Sequence, residues 1–326
     1  MHKVIMILLI LVSQEIIAQT FYDPPLAHTY SIVAVDSVSG EIGAAVQSHW
    51  FSVGSNVIWA EAGVGAVATQ SFINVSFGPR GLQLLKEGKS PVEALKVLID
   101  GDEGRDFRQL AIIDPSGNTA AYTGGKCIPD AGNINKKYYS VQANLMLNDR
   151  VWPAMEKAFT GTKAPLAERM IAALEAAQSA GGDIRGRQSA AILVVKAKSS
   201  GKIWEDRLID LRVEDNPHPV QELKRVLRMF RAYEHMNAGD SAVEKGDEQG
   251  ALREYGAAEE MFPENLEMKY WHAVSLVNMG DLEKSLPIFK EVFEADQNWK
   301  TLTPRLIPVG LLKANESEMT RIIDGQ

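Results

Sequence analysis

At Asp215-Asn216-Pro217-His218-Pro219 two prolines close the last strand-like run of the chain, and everything beyond them reads as helix. Proline gives no N–H to a sheet ladder and fixes its own φ, so a strand cannot continue through the pair. The chain therefore has to fold as a strand-rich unit followed by an all-helical one. With 326 residues it is long enough to bury a core in each.

The strand-rich unit spans residues 29–215. Ser31 to Val35, Glu41 to Val46 and Gly63 to Thr69 read as strands, with Ser37-Val38-Ser39-Gly40 as a hairpin turn. Gln109 to Ile113 and Thr119 to Thr123 form a second hairpin around Asp114-Pro115-Ser116-Gly117. Ala190 to Val195 and Arg207 to Val213 are a late pair. Helices interrupt the strands at Pro79 to Glu87, Pro91 to Ile99, Asp149 to Phe159 and Pro165 to Ser179. The second is announced by Ser90 as N-cap, Pro91 at the first helical position and Glu93 closing a capping box. Hairpins with pairs of helices between them predict antiparallel sheets covered by helices, an α+β architecture.

Past the prolines, residues 216–230 read as a linker and connecting helix. Gly246-Asp247 then recurs as Gly280-Asp281, a period of 34 residues, with Leu252 matching Leu286 and Tyr255 matching Phe289. That period is the signature of a tetratricopeptide-like helical module, here over 231–326. Residues 220–326 hold 13 Lys+Arg against 19 Asp+Glu, a net of −6 within a whole-chain net of −8. The acidic excess is either a solvated helical face or a docking surface for basic partners. A chain of this charge lacks the basic face of a nucleic-acid binder.

Met1-His2-Lys3, the apolar run Val4 to Val12 and the small residue at Ala18 have the layout of a secretory signal over residues 1–18, with 19–28 as an N-terminal arm or propeptide. The expected location is secreted or periplasmic, with no membrane span after signal removal. Cys127 is the only cysteine, so no internal disulfide supports the fold. Its two readings are a buried small hydrophobe and a nucleophilic thiol.

From Thr29 onward several blocks carry a resemblance. They are Thr29-Tyr30-Ser31-Ile32-Val33-Ala34, Gly63-Val64-Gly65-Ala66-Val67-Ala68-Thr69-Gln70, Asn74 and Gly78-Pro79-Arg80-Gly81-Leu82. Further on come Gln142-Ala143-Asn144, Pro165-Leu166-Ala167-Glu168-Arg169, Gly181-Gly182-Asp183, Arg185-Gly186-Arg187-Gln188-Ser189-Ala190 and Asp210-Leu211-Arg212-Val213. In these the chain resembles an uncharacterised family with an Ntn-hydrolase-like fold, domain of unknown function 1028. The resemblance implies a four-layer αββα sandwich and supplies no substrate, because the family has no settled activity. The tetratricopeptide-like tail is an addition to the family core.

Thr29 is the first candidate for chemistry. Were proteolysis to make it the first residue, its hydroxyl and freed α-amine would form a nucleophile and base in one residue. Ser31, two positions on and hence on the same side of the strand, is the second choice. Gln70, Asn74 and Asn144 are neutral donors suited to hold an oxyanion; each is equally a buried amide satisfying loop backbone. No lysine occurs between Thr29 and Lys86, which leaves the α-amine, His49 or Asp36 to activate the nucleophile. The loop Gly182-Asp183-Ile184-Arg185-Gly186-Arg187-Gln188-Ser189 and Arg80 supply arginines that would grip a carboxylate ligand. The alternative for the loop is an internal ion-pair cluster with Asp210 or Asp215. No cofactor is expected, since Gly63-x-Gly65 lacks the third glycine of a dinucleotide loop. Nor is a metal, since the six histidines are scattered.

Three functions compete. One is an exported amidohydrolase acting on a small amide or peptide-like substrate. The second is a binding protein for a small-molecule or peptide-like ligand on the same scaffold. The third is an interaction protein whose repeats recruit a protein partner or mediate a homo-oligomer.

Overall fold

The computed structural model describes residues 26–27 and 29–324. The expected signal over 1–18 and the arm residues 19–25 and 28 lie outside the described residues. In chain order the strand-rich unit holds β1 Leu26–Ala27, β2 Thr29–Val35, β3 Ile42–Ser48, β4 Ile58–Glu61, β5 Gly65–Phe72, α1 Phe77–Lys86, α2 Pro91–Asp100, β6 Arg108–Ile113 and β7 Thr119–Thr123. It continues with β8 Gly132–Lys136, β9 Tyr139–Ala143, α3 Val151–Gly161, α4 Leu166–Ser179, β10 Ser189–Val195, α5 Ile203–Asp206 and β11 Arg207–Val213. The helical region is α6 Pro219–Glu244, α7 Glu248–Met261, α8 Leu266–Asn278, α9 Leu282–Ala295, α10 Gln297–Leu302 and α11 Glu316–Asp324.

The strands make two sheets, and their pairings are antiparallel. In the first the order is β1-β5-β6-β7, with β4 also pairing β5. In the second it is β11-β10-β3-β2-β9-β8. Every residue of β2 is buried, which explains its nearly unbroken apolar sequence: both of its faces are covered. Tyr30, Ile32 and Ala34 pack with Met155 and Phe159 of α3 and Leu174 of α4. The alternate residues Val33 and Val35 pack against Ala66 and Ala68 of β5 and Ala111 of β6. On the far side of the first sheet, Val67, Leu110 and Ile112 meet Phe77 and Leu82 of α1 and Leu98 of α2.

The capping box expected at α2 is present: Ser90 Oγ accepts from the Glu93 N–H, and the Glu93 carboxylate accepts from the Ser90 N–H at 2.8 Å. In the helical region, α7 and α9 begin 34 residues apart, at Glu248 and Leu282, each one residue past its Gly-Asp pair. Asp247 caps α7 by accepting from the Gly250 N–H at 2.9 Å. Tyr255 and Phe289, which stand 34 residues apart, are both buried, in neighbouring cores.

The helix α6 runs unbroken for 26 residues, so residue 230 falls inside it. Its first turns place Val220, Leu223 and Leu227 in the core beneath the second sheet. Its later turns place Ala232 and Met236 in a separate core with Tyr255 and Phe262.

Candidate functional site

The apolar filling between the two sheets gives way to polar side chains near the start of β2. Thr29 stands opposite Ser48 of β3, and Ser48 opposite Ser189 of β10, so three buried hydroxyl residues form a row across neighbouring strands. Beside them four carboxamides gather on the inner faces, Gln70 of β5, Gln109 of β6, Gln142 of β9 and Asn144 just past β9. Strand alternation selects them: Gln70 shares its face with Ala66 and Ala68, and Gln109 with Ala111 and Ile113, all of the inter-sheet core.

These groups form one hydrogen-bonded cluster. Ser31 Oγ donates to Gln70 Oε1 at 2.6 Å and accepts from Gln142 Nε2 at 2.6 Å. Gln70 Nε2 donates to Gln109 Oε1 at 2.5 Å and to the Thr29 carbonyl at 3.3 Å. Asn144 donates to Gln109 Oε1 at 2.9 Å through Nδ2, and to the Thr29 carbonyl at 3.1 Å through its backbone N–H. Gln109 Nε2 reaches the Ala143 carbonyl at 2.9 Å and Thr123 Oγ1 at 2.8 Å, so the cluster ties β6 of one sheet to β9 of the other. Thr29, Ser31, Gln70, Gln142 and Asn144 are each 0% exposed.

Two left-handed residues border the cluster. Ser71 has φ +71° and Leu145 φ +58°, and each directly follows one of the amides that meet the Thr29 carbonyl. Non-glycine residues hold such conformations only where surrounding structure enforces them, and they gather at functional sites. Ser71 holds its conformation inside β5, still paired with Ala27 and Arg108, whereas Leu145 turns the chain immediately after Asn144. The Asn144 turn is held by the Leu145 N–H on the Ile128 carbonyl and the Ile184 N–H on the Leu145 carbonyl.

The model of a family of unknown function, DUF1028, matches residues 29–223, from Thr29 itself to the second turn of α6. The chain belongs to this family. The DUF1028 protein SPO2555 from Silicibacter pomeroyi has a similar structure, with a TM-score of 0.57 and 30% identity over 62% of this chain and 85% of that one. No curated protein matches the chain.

Within the DUF1028 segment the other expected site residues are dispersed. Asn74 is not in the cluster: its Oδ1 accepts from the Ser76 N–H and hydroxyl at 3.2 and 2.8 Å, a local turn that leads into α1. Arg80 is exposed on α1. Asp183 is buried and accepts from the His49 N–H at 3.1 Å, the Arg185 N–H at 2.9 Å and the Arg185 guanidinium at 2.8 Å. The loop's ion pair is thus internal to it. Asp210, one of the two partners offered by sequence beside Asp215, instead bonds Arg207 and Arg212 on its own strand. Arg187 is exposed and lies 3.3 Å from His218 Nδ1. The Gln188 backbone joins the loop to Ser48 and Asn216.

Neither side chain named as an activator sits where Thr29 needs one. Asp36 lies at the far end of β2, about 20 Å along the strand, where it accepts from Val38 and Ser39 and pairs with Arg169. His49 is exposed next to Ser48. Tyr30 points to the opposite face, donating to Gln178 Oε1 at 3.2 Å; burial, with Asp183 adding to it, pushes its phenol up. Cys127 is buried with its thiol on the Arg108 carbonyl, and burial raises it, which suits the small-hydrophobe reading. Among the described residues no group of three or more His, Cys, Asp or Glu side chains is placed to hold a metal ion, and no helix is long and apolar enough to cross a membrane.

Gln109, Thr123 and Ser140, whose hydroxyl donates to Gln142 Oε1 at 3.1 Å, carry no role in the sequence reading, and Gln142 appears there only within a block of the family resemblance. A signal for Gln109 exists, since it is an amide at an inward position of an otherwise apolar strand, Leu110-Ala111-Ile112-Ile113. Its partners are 14 to 39 residues away, and no local pattern names them.

Proposed function

We propose that the DUF1028 unit is a four-layer Ntn-hydrolase-like sandwich that hydrolyses a small amide or peptide-like substrate once its chain is cut before Thr29. The observation that carries this reading is the convergence of Gln70 and Asn144 on the main-chain carbonyl of Thr29, at the point where the family match begins. An amide-cleaving site needs a nucleophile, a base and neutral donors for the oxyanion. The cluster holds neutral amides, whose N–H groups would have to turn from their present partners to an oxyanion, and no titratable side chain, so a freed α-amine on Thr29 would be the base. Ser31 fits the nucleophile role poorly. Its hydroxyl is committed at both ends to carboxamides, and the oxygen it donates to is no base. Ser31 is assigned to positioning Gln70 and Gln142.

The cut would also open the site. Residues Leu26 and Ala27 pair with Phe72 and Ser71 at the edge of β5, and their departure would uncover the Thr29 end of β2. The same pairing favours a second reading, in which the arm stays and the unit binds a ligand without chemistry. We assign the protein to a secreted or periplasmic location on residues 1–18, and the helical region to a tetratricopeptide-like module on its 34-residue helix spacing. The acidic excess of that region would serve a protein partner.

The exact mass and N-terminal sequence of the exported protein test the proposal. A start at Thr29, with amide hydrolysis lost in Thr29→Ala and folding retained, is the expected outcome. A chain that starts upstream of Leu26 and turns over no amide would leave only the binding reading.

A further inference from the structure

The strand-rich unit meets the helical region along α4 and α6, and the contact has a gap in its middle. Glu168 of α4 accepts from Arg231 of α6 at 2.9 Å, and Glu175 of α4 accepts from Lys224 of α6 at 2.9 Å. The order of the partners makes the two helices antiparallel. Glu168 and Glu175 are seven residues apart, as are Lys224 and Arg231. Seven residues are two turns, so two ion pairs tie the ends of a slot about 10 Å long. Between the ties α4 offers Ile171 and the small Ala172, and α6 offers Leu227. The gap is a cavity of about 630 Å³ with Met261 and Phe262, at the end of α7, as its third wall. That volume is ordinary for a small-molecule site.

The charges around the slot are not balanced. Lys224, Arg225, Arg228 and Arg231 line it, against Glu168 and Glu175. Three of the cations are paired with carboxylates. Arg228 is different: its guanidinium donates to the neutral Met261 carbonyl at 2.7 Å and lies 5.0 Å from the centre of the Phe262 ring. Among the described residues no carboxylate pairs with it. A mostly apolar slot with one cation lacking a counter-charge is complementary to an apolar molecule ending in one carboxylate. The tail would cover Ala172, Met261 and the aliphatic stems of the lining cations, above Ile171 and Leu227, which the core already buries, and the head would take a charge-assisted hydrogen bond from Arg228.

We infer that this slot binds a medium-chain alkyl carboxylate, and that the bound molecule clamps the helical region onto the DUF1028 unit. The inference is independent of any chemistry at Thr29. Octanoate titrated into the full exported protein, followed by calorimetry and thermal unfolding, tests it. The expected result is saturable binding with a rising unfolding temperature, and little binding of octanol. Arg228→Gln should weaken octanoate binding by about tenfold or more, the scale of losing a hydrogen bond to a charged group. Ala172→Phe, which fills the slot while leaving every charge, should abolish it. Equal binding of octanol and octanoate, an unchanged affinity in Arg228→Gln, retained binding in Ala172→Phe, or no binding at all would each overturn the inference.

Discussion

Ser31 sends its hydroxyl hydrogen to Gln70 and receives one from Gln142, so its replacement leaves two buried amides short of a partner. Ser31→Ala should therefore lower stability by about 2 kcal/mol, more than the loss of one ordinary hydrogen bond. Denaturant unfolding checks this; a change under about 0.5 kcal/mol would mean the cluster relaxes around the gap. A second residue-scale expectation concerns acid. Burial tends to raise the Asp102 carboxyl, but Arg108 at 2.7 Å and the Gly104 N–H outweigh it and hold it below the usual carboxylate range. A depressed native pKa contributes stability that is complete above the unfolded value of about 3.9 and disappears as pH falls through the native one. Asp102→Asn should accordingly be the less stable protein at neutral pH and show a shallower loss below about pH 4. Parallel slopes for the two proteins in that window would contradict the assignment.

At the scale of elements, Gly239 gives the clearest sign reversal. A glycine inside a helix is ordinarily improved by alanine by about 1 kcal/mol. Here a Cβ would stand 2.5 Å from the Tyr255 ring, whose tight approach joins α6 to α7. Gly239→Ala should thus lower the unfolding temperature, and a rise would show that the two helices separate freely. How much of this level is legible in sequence depends on how local its cause is. The cap of α2 was readable because Ser90, Pro91 and Glu93 are neighbours. The strand β8 was not, because Gly132-Asn133-Ile134-Asn135-Lys136 has weak strand propensity and owes its pairing to β9. The candidate site divides in the same way. Gln70 and Asn144 were visible as neutral donors at strand ends. Asn74 looked equivalent, and only the structure shows its Oδ1 taken up by the turn at Ser76 and its side chain hydrogen-bonded to Asp102. The role of Gln109 comes from partners on other elements and in the other sheet, which no spacing encodes.

For the whole molecule, α6 decides how the parts hold together. Leu223 is fully buried beneath the second sheet although it belongs to a helix that continues into the C-terminal region. Leu223→Ala should cost about 2–4 kcal/mol. Because one helix contributes to both cores, the loss should appear equally at Trp152 of α3 and Trp271 of α8. Fluorescence of single-tryptophan variants should give one coincident transition on heating; two separated transitions would show that the units melt independently. The shared helix has one more effect. Between Leu227, the last buried α6 residue of one core, and Ala232, the first buried one of the next, the backbone acts as a screw thread, with Phe230 and Met229 packing at the margins of the two cores. Inserting a single residue there would turn everything downstream by about 100° and advance it by about 1.5 Å. The Lys224 and Arg231 ties to α4 would then fall out of phase with each other. In that short span the number of residues sets the geometry of the protein more tightly than their identity does.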